Sequence, residues 1–154
     1  MRRTERRETI FRLLFMQQFR DGDEMPEQIS EYLEGVRSGL EEVPADGKVS
    51  PEEEQVIREK LEDITAHIPE IDERLNKVSK GWKTSRMSKV DLSILRLAAY
   101  EMLFDDDVPT GVAINEAVEI AKKYGGDETA SFVNGILGQI ARKADLSETP
   151  EKTE

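Results

Sequence analysis

A chain of 154 residues with 37% hydrophobic and 36% charged side chains is large enough for one helical core and too apolar to be disordered. It has no cysteine, which excludes disulfides and thiolate-bound metals, and no run near the roughly 20 apolar residues of a membrane-spanning helix. The net charge of −11 disfavours nucleic acid as an average, but residues 1–20 carry +4, 21–73 carry −14, 74–100 carry +6 and 101–154 carry −7.

The opening, Met1 to Phe11, is charged without an apolar stretch or a small-residue cleavage site, so no secretory signal is expected and the expected location is cytoplasmic. Thr4 to about Phe19 is predicted as a helix, followed by the turn-prone Asp21-Gly22-Asp23. A second helix is predicted from Pro26 to Val36, and Val43 to Gly47 as a loop. Ser50-Pro51-Glu52-Glu53 starts a third, with Ser at N-cap, Pro at N1 and Glu at N3. That helix carries Val56, Ile57, Leu61 and Ile64 and is expected to stop before Pro69, which opens a fourth helix ending at Gly81. Ser88 and Asp91 head a fifth through Leu103; the last two span Thr110 to Tyr124 and about Thr129 to Lys143. The expectation is an all-α, compact bundle of about six or seven helices: one domain over 1–144 and a polar, disordered tail over 145–154.

Two basic segments stand out. Arg2, Arg3, Arg6 and Arg7 form i, i+4 pairs on one side of the first helix, with Glu5 and Glu8 on the other. Cations at a helix N-terminus oppose its dipole, which favours a function in phosphate contact and base stacking over a merely solvated end. Arg74, Lys77, Lys80, Lys83, Arg86 and Lys89 recur every third residue with few acids among them, as a phosphate track would. The fold is expected to bring the two segments together as one cationic patch on an acidic body. Trp82 lies within the second and either stacks on a base or, as a lone Trp after glycine more often does, anchors the core. The run Ile10 to Phe19 is apolar nearly all round, which means burial in the bundle or a partner over Phe15 and Phe19.

The enzyme reading lacks parts. Asp105-Asp106-Asp107 has no second acidic cluster at metal-site spacing and fits a solvated turn. His67 is the only histidine, without a nucleophile beside it, and Gly125-Gly126 follows a helix rather than a strand, so it is no phosphate loop. No catalytic residue, metal or cofactor is expected. Asn115 and Asn134, weak helix formers, are expected to bond neighbouring backbone at helix starts and loops. Gly125 fits a helix C′ position, and Gly135 and Gly138 permit close helix contact.

Spaced blocks in order carry a family resemblance: Arg86-Met-Ser-Lys-Val-Asp91, Ile94-Leu-Arg-Leu-Ala-Ala-Tyr-Glu101, Val108-Pro109, Val112-Ala-Ile-Asn-Glu-Ala-Val118, Tyr124-Gly125 and Phe132-Val-Asn-Gly-Ile-Leu137. With the arginine-rich start, Arg7-Glu8 and Leu14-Phe15, the chain resembles the NusB family of transcription antitermination factors; residues 20–70 match in pattern only. The resemblance implies two packed helical halves that pair with NusE, a small-subunit ribosomal protein. The pair binds the single-stranded boxA element of nascent RNA and helps RNA polymerase read through terminators, notably in ribosomal RNA operons. By position it implies an RNA surface at Arg2, Arg3, Arg7, Arg86, Lys122 and Phe132, to which the basic patterns add Arg6 and Lys83. It implies a NusE surface at Phe15, Asp91 and Arg96, with Glu128 near its edge. Gly111 and Ser131 stand where the family often has basic residues, which weakens RNA contact there, and Phe15 stands where Tyr is frequent, which removes a hydroxyl. Some relatives self-associate, so a homodimer is a further partner. Two other readings remain: a protein adaptor whose acidic surface engages basic partners, and a stand-alone relative of the bundle at the front of ribosomal RNA cytosine methyltransferases. The latter lacks the glycine loop and cysteine nucleophile needed to methylate by itself.

Overall fold

Six α-helices make up the computed structural model, which describes residues 1–20, 22–39 and 49–144: α1 (Arg3–Gln17), α2 (Met25–Arg37), α3 (Pro51–Val78), α4 (Lys89–Phe104), α5 (Thr110–Tyr124) and α6 (Asp127–Lys143). Short 3-10 turns at Gly22–Glu24 and Thr84–Arg86 complete the regular structure, and no strand occurs among the described residues. The expected Val43–Gly47 loop, the tail and Asp21 lie outside those residues. No described helix is long and apolar enough to cross a membrane.

The chain divides into two compact units at Thr65, inside α3. Here the sequence-based expectation fails: residues 51–78 are one helix, with Pro69 in its interior. Pro69 cannot donate to the carbonyl of Thr65, four residues earlier, and its ring crowds that carbonyl. The helix continues because buried Ile57, Leu61, Ile64, Ile71 and Leu75 keep one apolar face in step on both sides of the proline. Packing along that face outweighs the local penalty.

In the first unit, the front of α3 is tied to α1 and α2 by ion pairs. Ser50 caps it, accepting the Glu53 N–H at 3.0 Å. The Glu53 carboxylate takes Arg6 through two bonds, with Arg6 Nε at 2.6 Å. Arg37 and Arg58 converge on Glu54, and Arg58 also reaches Ser30 of α2. Those hydrogen bonds, Arg37's first, hold the Glu54 carboxyl below its ordinary range. A depressed carboxylate stabilises the fold above its unfolded pKa and loses that contribution as pH falls through the folded one. Glu54→Gln should therefore lower stability at neutral pH, by about 1 kcal/mol or less. Urea titrations should show the difference vanishing below about pH 4.

Apolar burial in α1 is concentrated at Ile10, Phe11, Leu13 and Leu14, whereas Phe15 is half-buried and Phe19 is 58% exposed, edge-on to Phe15 at 5.1 Å. Val56, expected on the apolar face of its helix, is exposed instead.

The second unit comprises the end of α3 with α4, α5 and α6. Buried residues run almost unbroken along α4 from Leu92 to Met102, as befits a central helix, and α4, α5 and α6 pack on one another. Ser88 caps α4 by accepting the Asp91 N–H at 3.0 Å. Asp72 chelates Arg96 at 3.0 and 2.7 Å, fixing α3 to α4. Asp105 accepts the Asp107 N–H, closing the acidic turn on itself.

Three small-residue expectations are corrected. Asn115 and Asn134 are exposed on α5 and α6, so they do not cross-link loops. The left-handed residue between α5 and α6 is Gly126 (φ +90°), while Gly125 is required because a Cβ there would collide with the Thr129 side chain. Gly135 faces open space and Gly138 only the Arg142 guanidinium, so neither mediates close helix contact.

Candidate nucleic-acid interface

After α3 ends at Val78, the chain makes a short, internally braced excursion before α4. Buried Ser79 donates its hydroxyl to the Trp82 carbonyl at 2.7 Å, and its own carbonyl accepts the Trp82 N–H at 2.7 Å. Asn76 Oδ1 accepts the Thr84 N–H at 2.8 Å, and the Lys83 carbonyl accepts the Arg86 N–H at 2.8 Å. Gly81 sits at φ +82° with open space where a Cβ would be. Gly81→Ala should therefore cost about 1 kcal/mol through backbone conformation alone, a loss that thermal unfolding would register.

This bracing holds Trp82 out in solvent: its side chain is 57% exposed, which corrects the expectation of a core anchor. It meets half-buried Phe132 of α6 edge-to-face, with ring centres 6.5 Å apart. Two hollows border the aromatic pair. One, of about 420 Å³, is bordered by Arg86, Asp91 and Glu128 as well as both rings. The other, of about 260 Å³, is bordered by Lys80, Ile136, Gln139 and Lys143.

The cations of this segment divide by what they already hold. Lys77 pairs with Glu73, and Lys89 has partners of its own. Arg74, Lys80, Lys83 and Arg86 are exposed and meet no carboxylate among the described residues. The expected helical strip thus becomes a set of free charges on an irregular loop. Arg86 and Phe132, expected to touch RNA, share one hollow with Asp91 and Glu128, expected to touch NusE. Arg96 is chelated by Asp72, with 17% of its side chain accessible. Lys122 borders neither hollow; it is exposed on α5 in a loose 3.7 Å pair with Glu119.

At the front of α1 the arginines are not equivalent. Arg6 is ion-paired with Glu53, a nearly buried carboxylate, so its guanidinium ties α1 to α3. Arg7 is half-buried and partnered. Arg2 and Arg3 are exposed, and Glu5 accepts the Arg2 N–H at 2.7 Å, satisfying a helix-start donor and offsetting the unfavourable charge.

Ile136, Gln139 and Lys143 were not singled out from the sequence. Their signal was spacing: with Phe132 they recur at i, i+4, i+7 and i+11, one face of α6.

The chain matches the NusB family profile over residues 4–142. It is 46% identical to the transcription antitermination protein NusB of Lachnoclostridium phytofermentans over 91% of this chain and 98% of that one. The corresponding protein of Agathobacter rectalis is 47% identical over 92% and 100%. Among solved structures, NusB of T. maritima superposes with a TM-score of 0.76 at 31% identity, covering 99% and 97%. A NusB solved with NusE and double-stranded RNA shares the fold, with a TM-score of 0.73 at 24% identity, covering 92% and 96%. Profile, relatives and superposition agree with one another: the chain belongs to the NusB family.

Proposed function

We propose that this protein is a cytoplasmic, non-catalytic transcription antitermination factor that binds single-stranded boxA-type RNA as a heterodimer with NusE. The pair acts on the RNA polymerase elongation complex to promote processive transcription, notably of ribosomal RNA operons. The observation that carries the reading is exposed Trp82 set against half-buried Phe132, with Lys80, Lys83 and Arg86 lacking any acidic partner among the described residues. Aromatic faces take bases and free cations take phosphates, the two requirements of a single-strand site. Arg2 and Arg3 add exposed cations in the first unit, and Lys122 one more on α5. Phe15, Asp91 and Glu128, with the Asp72-held Arg96, form the NusE-contacting set in this reading.

Specificity is the discriminating property. A labelled boxA oligonucleotide should bind the chain with NusE at least tenfold more tightly than a scrambled one of equal length. Equal affinities would reduce the protein to a general polyanion binder, and no RNA binding alongside normal NusE binding would make it a protein adaptor.

A further inference from the structure

The hollow on the α6 side of Trp82 is unlike its neighbour. The larger one carries two carboxylates, Asp91 and Glu128, whereas the smaller carries none. Its rim is Lys80, Lys143 and the neutral amide of Gln139, all exposed and none with a charged or hydrogen-bonded partner among the described residues. Its walls are the indole of Trp82 and the apolar Ile136 and Phe132. At about 260 Å³ it is smaller than the ~300–1,000 Å³ of drug-sized clefts and suits one planar base rather than an extended ligand.

We infer that this hollow is a distinct nucleotide subsite, in which a base of single-stranded RNA stacks on Trp82 and presents its edge to Gln139 while Lys80 and Lys143 meet the adjoining phosphates. The inference rests on the RNA-binding reading above and extends it to residues beyond Arg86, Lys122 and Phe132. Three features converge. An indole left 57% in water on a loop braced by Ser79, Gly81 and Asn76 is a rigid platform, so stacking requires little reordering. An amide supplies both donor and acceptor, as a base edge requires. Arg86, which holds no carboxylate among the described residues, borders the other hollow at the same indole, so a strand crossing Trp82 meets cations in both hollows. An acidic peptide would use the lysines but has no comparable use for an exposed indole face beside an amide.

Trp82 is the only tryptophan in the chain, so its emission reports this subsite directly. A boxA oligonucleotide and versions extended by one to three nucleotides at either end are titrated against the full chain, alone and with NusE. Labelled-RNA anisotropy measures total binding and Trp82 fluorescence measures stacking. Trp82 should be quenched at saturation. Trp82→Ala should weaken binding roughly tenfold, with Trp82→Phe restoring most of it. The double variant Gln139→Ala/Lys143→Gln should weaken binding about fivefold and abolish the gain from extending one end of the oligonucleotide. RNA binding by anisotropy without a change in Trp82 emission, and with unchanged affinity in the double variant, would overturn the subsite and leave the RNA-binding reading standing. Trp82 emission that responds to NusE but not to RNA would overturn it in favour of a protein-docking surface. No RNA binding in either readout would remove the reading on which the subsite rests, and the subsite with it.

Discussion

Reversing the charge at Lys83 and Arg86 together is expected to lower affinity for boxA-type RNA on the order of 100-fold at about 0.1 M salt, while stability stays within about 0.5 kcal/mol. Both side chains are exposed and neither holds a carboxylate among the described residues, so the folded state loses no ion pair there when they change. Each phosphate neutralised on a single strand releases about 0.7 of a counterion, worth roughly fivefold at that salt concentration. Removing two such contacts accounts for roughly 25-fold, and the repulsion from two new carboxylates supplies the rest. Reversal at Arg6 is the instructive contrast. Its guanidinium is bound by Glu53, so Arg6→Glu would set two carboxylates against each other and appear first as lost stability. Thermal unfolding measured beside RNA anisotropy separates the two outcomes. A Lys83→Glu/Arg86→Glu protein that binds RNA like the wild type would show that this loop is not the RNA surface.

Pro69→Ala is expected to stabilise the protein by about 1–3 kcal/mol, an unusual sign for a substitution in a packed element. Pro69 stands inside α3, where it removes one backbone hydrogen bond and crowds the carbonyl of Thr65. Its position is exposed, so alanine deletes little packing while restoring the donor. Relief falls short of the full ~3 kcal/mol penalty to the extent that α3 has adjusted around the ring. Chemical denaturation provides the value, and a loss of stability on substitution would mean that the ring itself is needed there.

The same proline marks what the sequence left illegible. Proline after an isoleucine at the end of an apolar repeat is a sound local reason to end a helix, and the caps at Ser50 and Ser88 were local reasons that held. What overrode it was packing: Ile57, Leu61 and Ile64 bury on the same face as Ile71 and Leu75, and although their spacing is in register across Pro69 in the sequence, the strength of that packing is not written there. Helix identities and most boundaries were legible because amphipathic spacing and caps are local signals. The site was legible only as charge. Composition marks residues 74–89 as basic, but which cations are free depends on carboxylates elsewhere, such as Glu53 for Arg6 and Asp72 for Arg96. Trp82 departs from expectation for a related reason. A tryptophan's usual burial is a statistical tendency, whereas its exposure here follows from Gly81 and Ser79 holding the loop outward.

The central claim is that free cations beside the exposed Trp82 bind the phosphates of single-stranded RNA, and the salt dependence of binding tests that most directly. With NusE present, log K for boxA-type RNA plotted against log salt should fall with a slope of about −3 to −4 for about five engaged phosphates. Neutralising Lys83 and Arg86 with glutamine should make that slope shallower by about 1.4. A wild-type slope near zero, or one unchanged by the double substitution, would contradict the account.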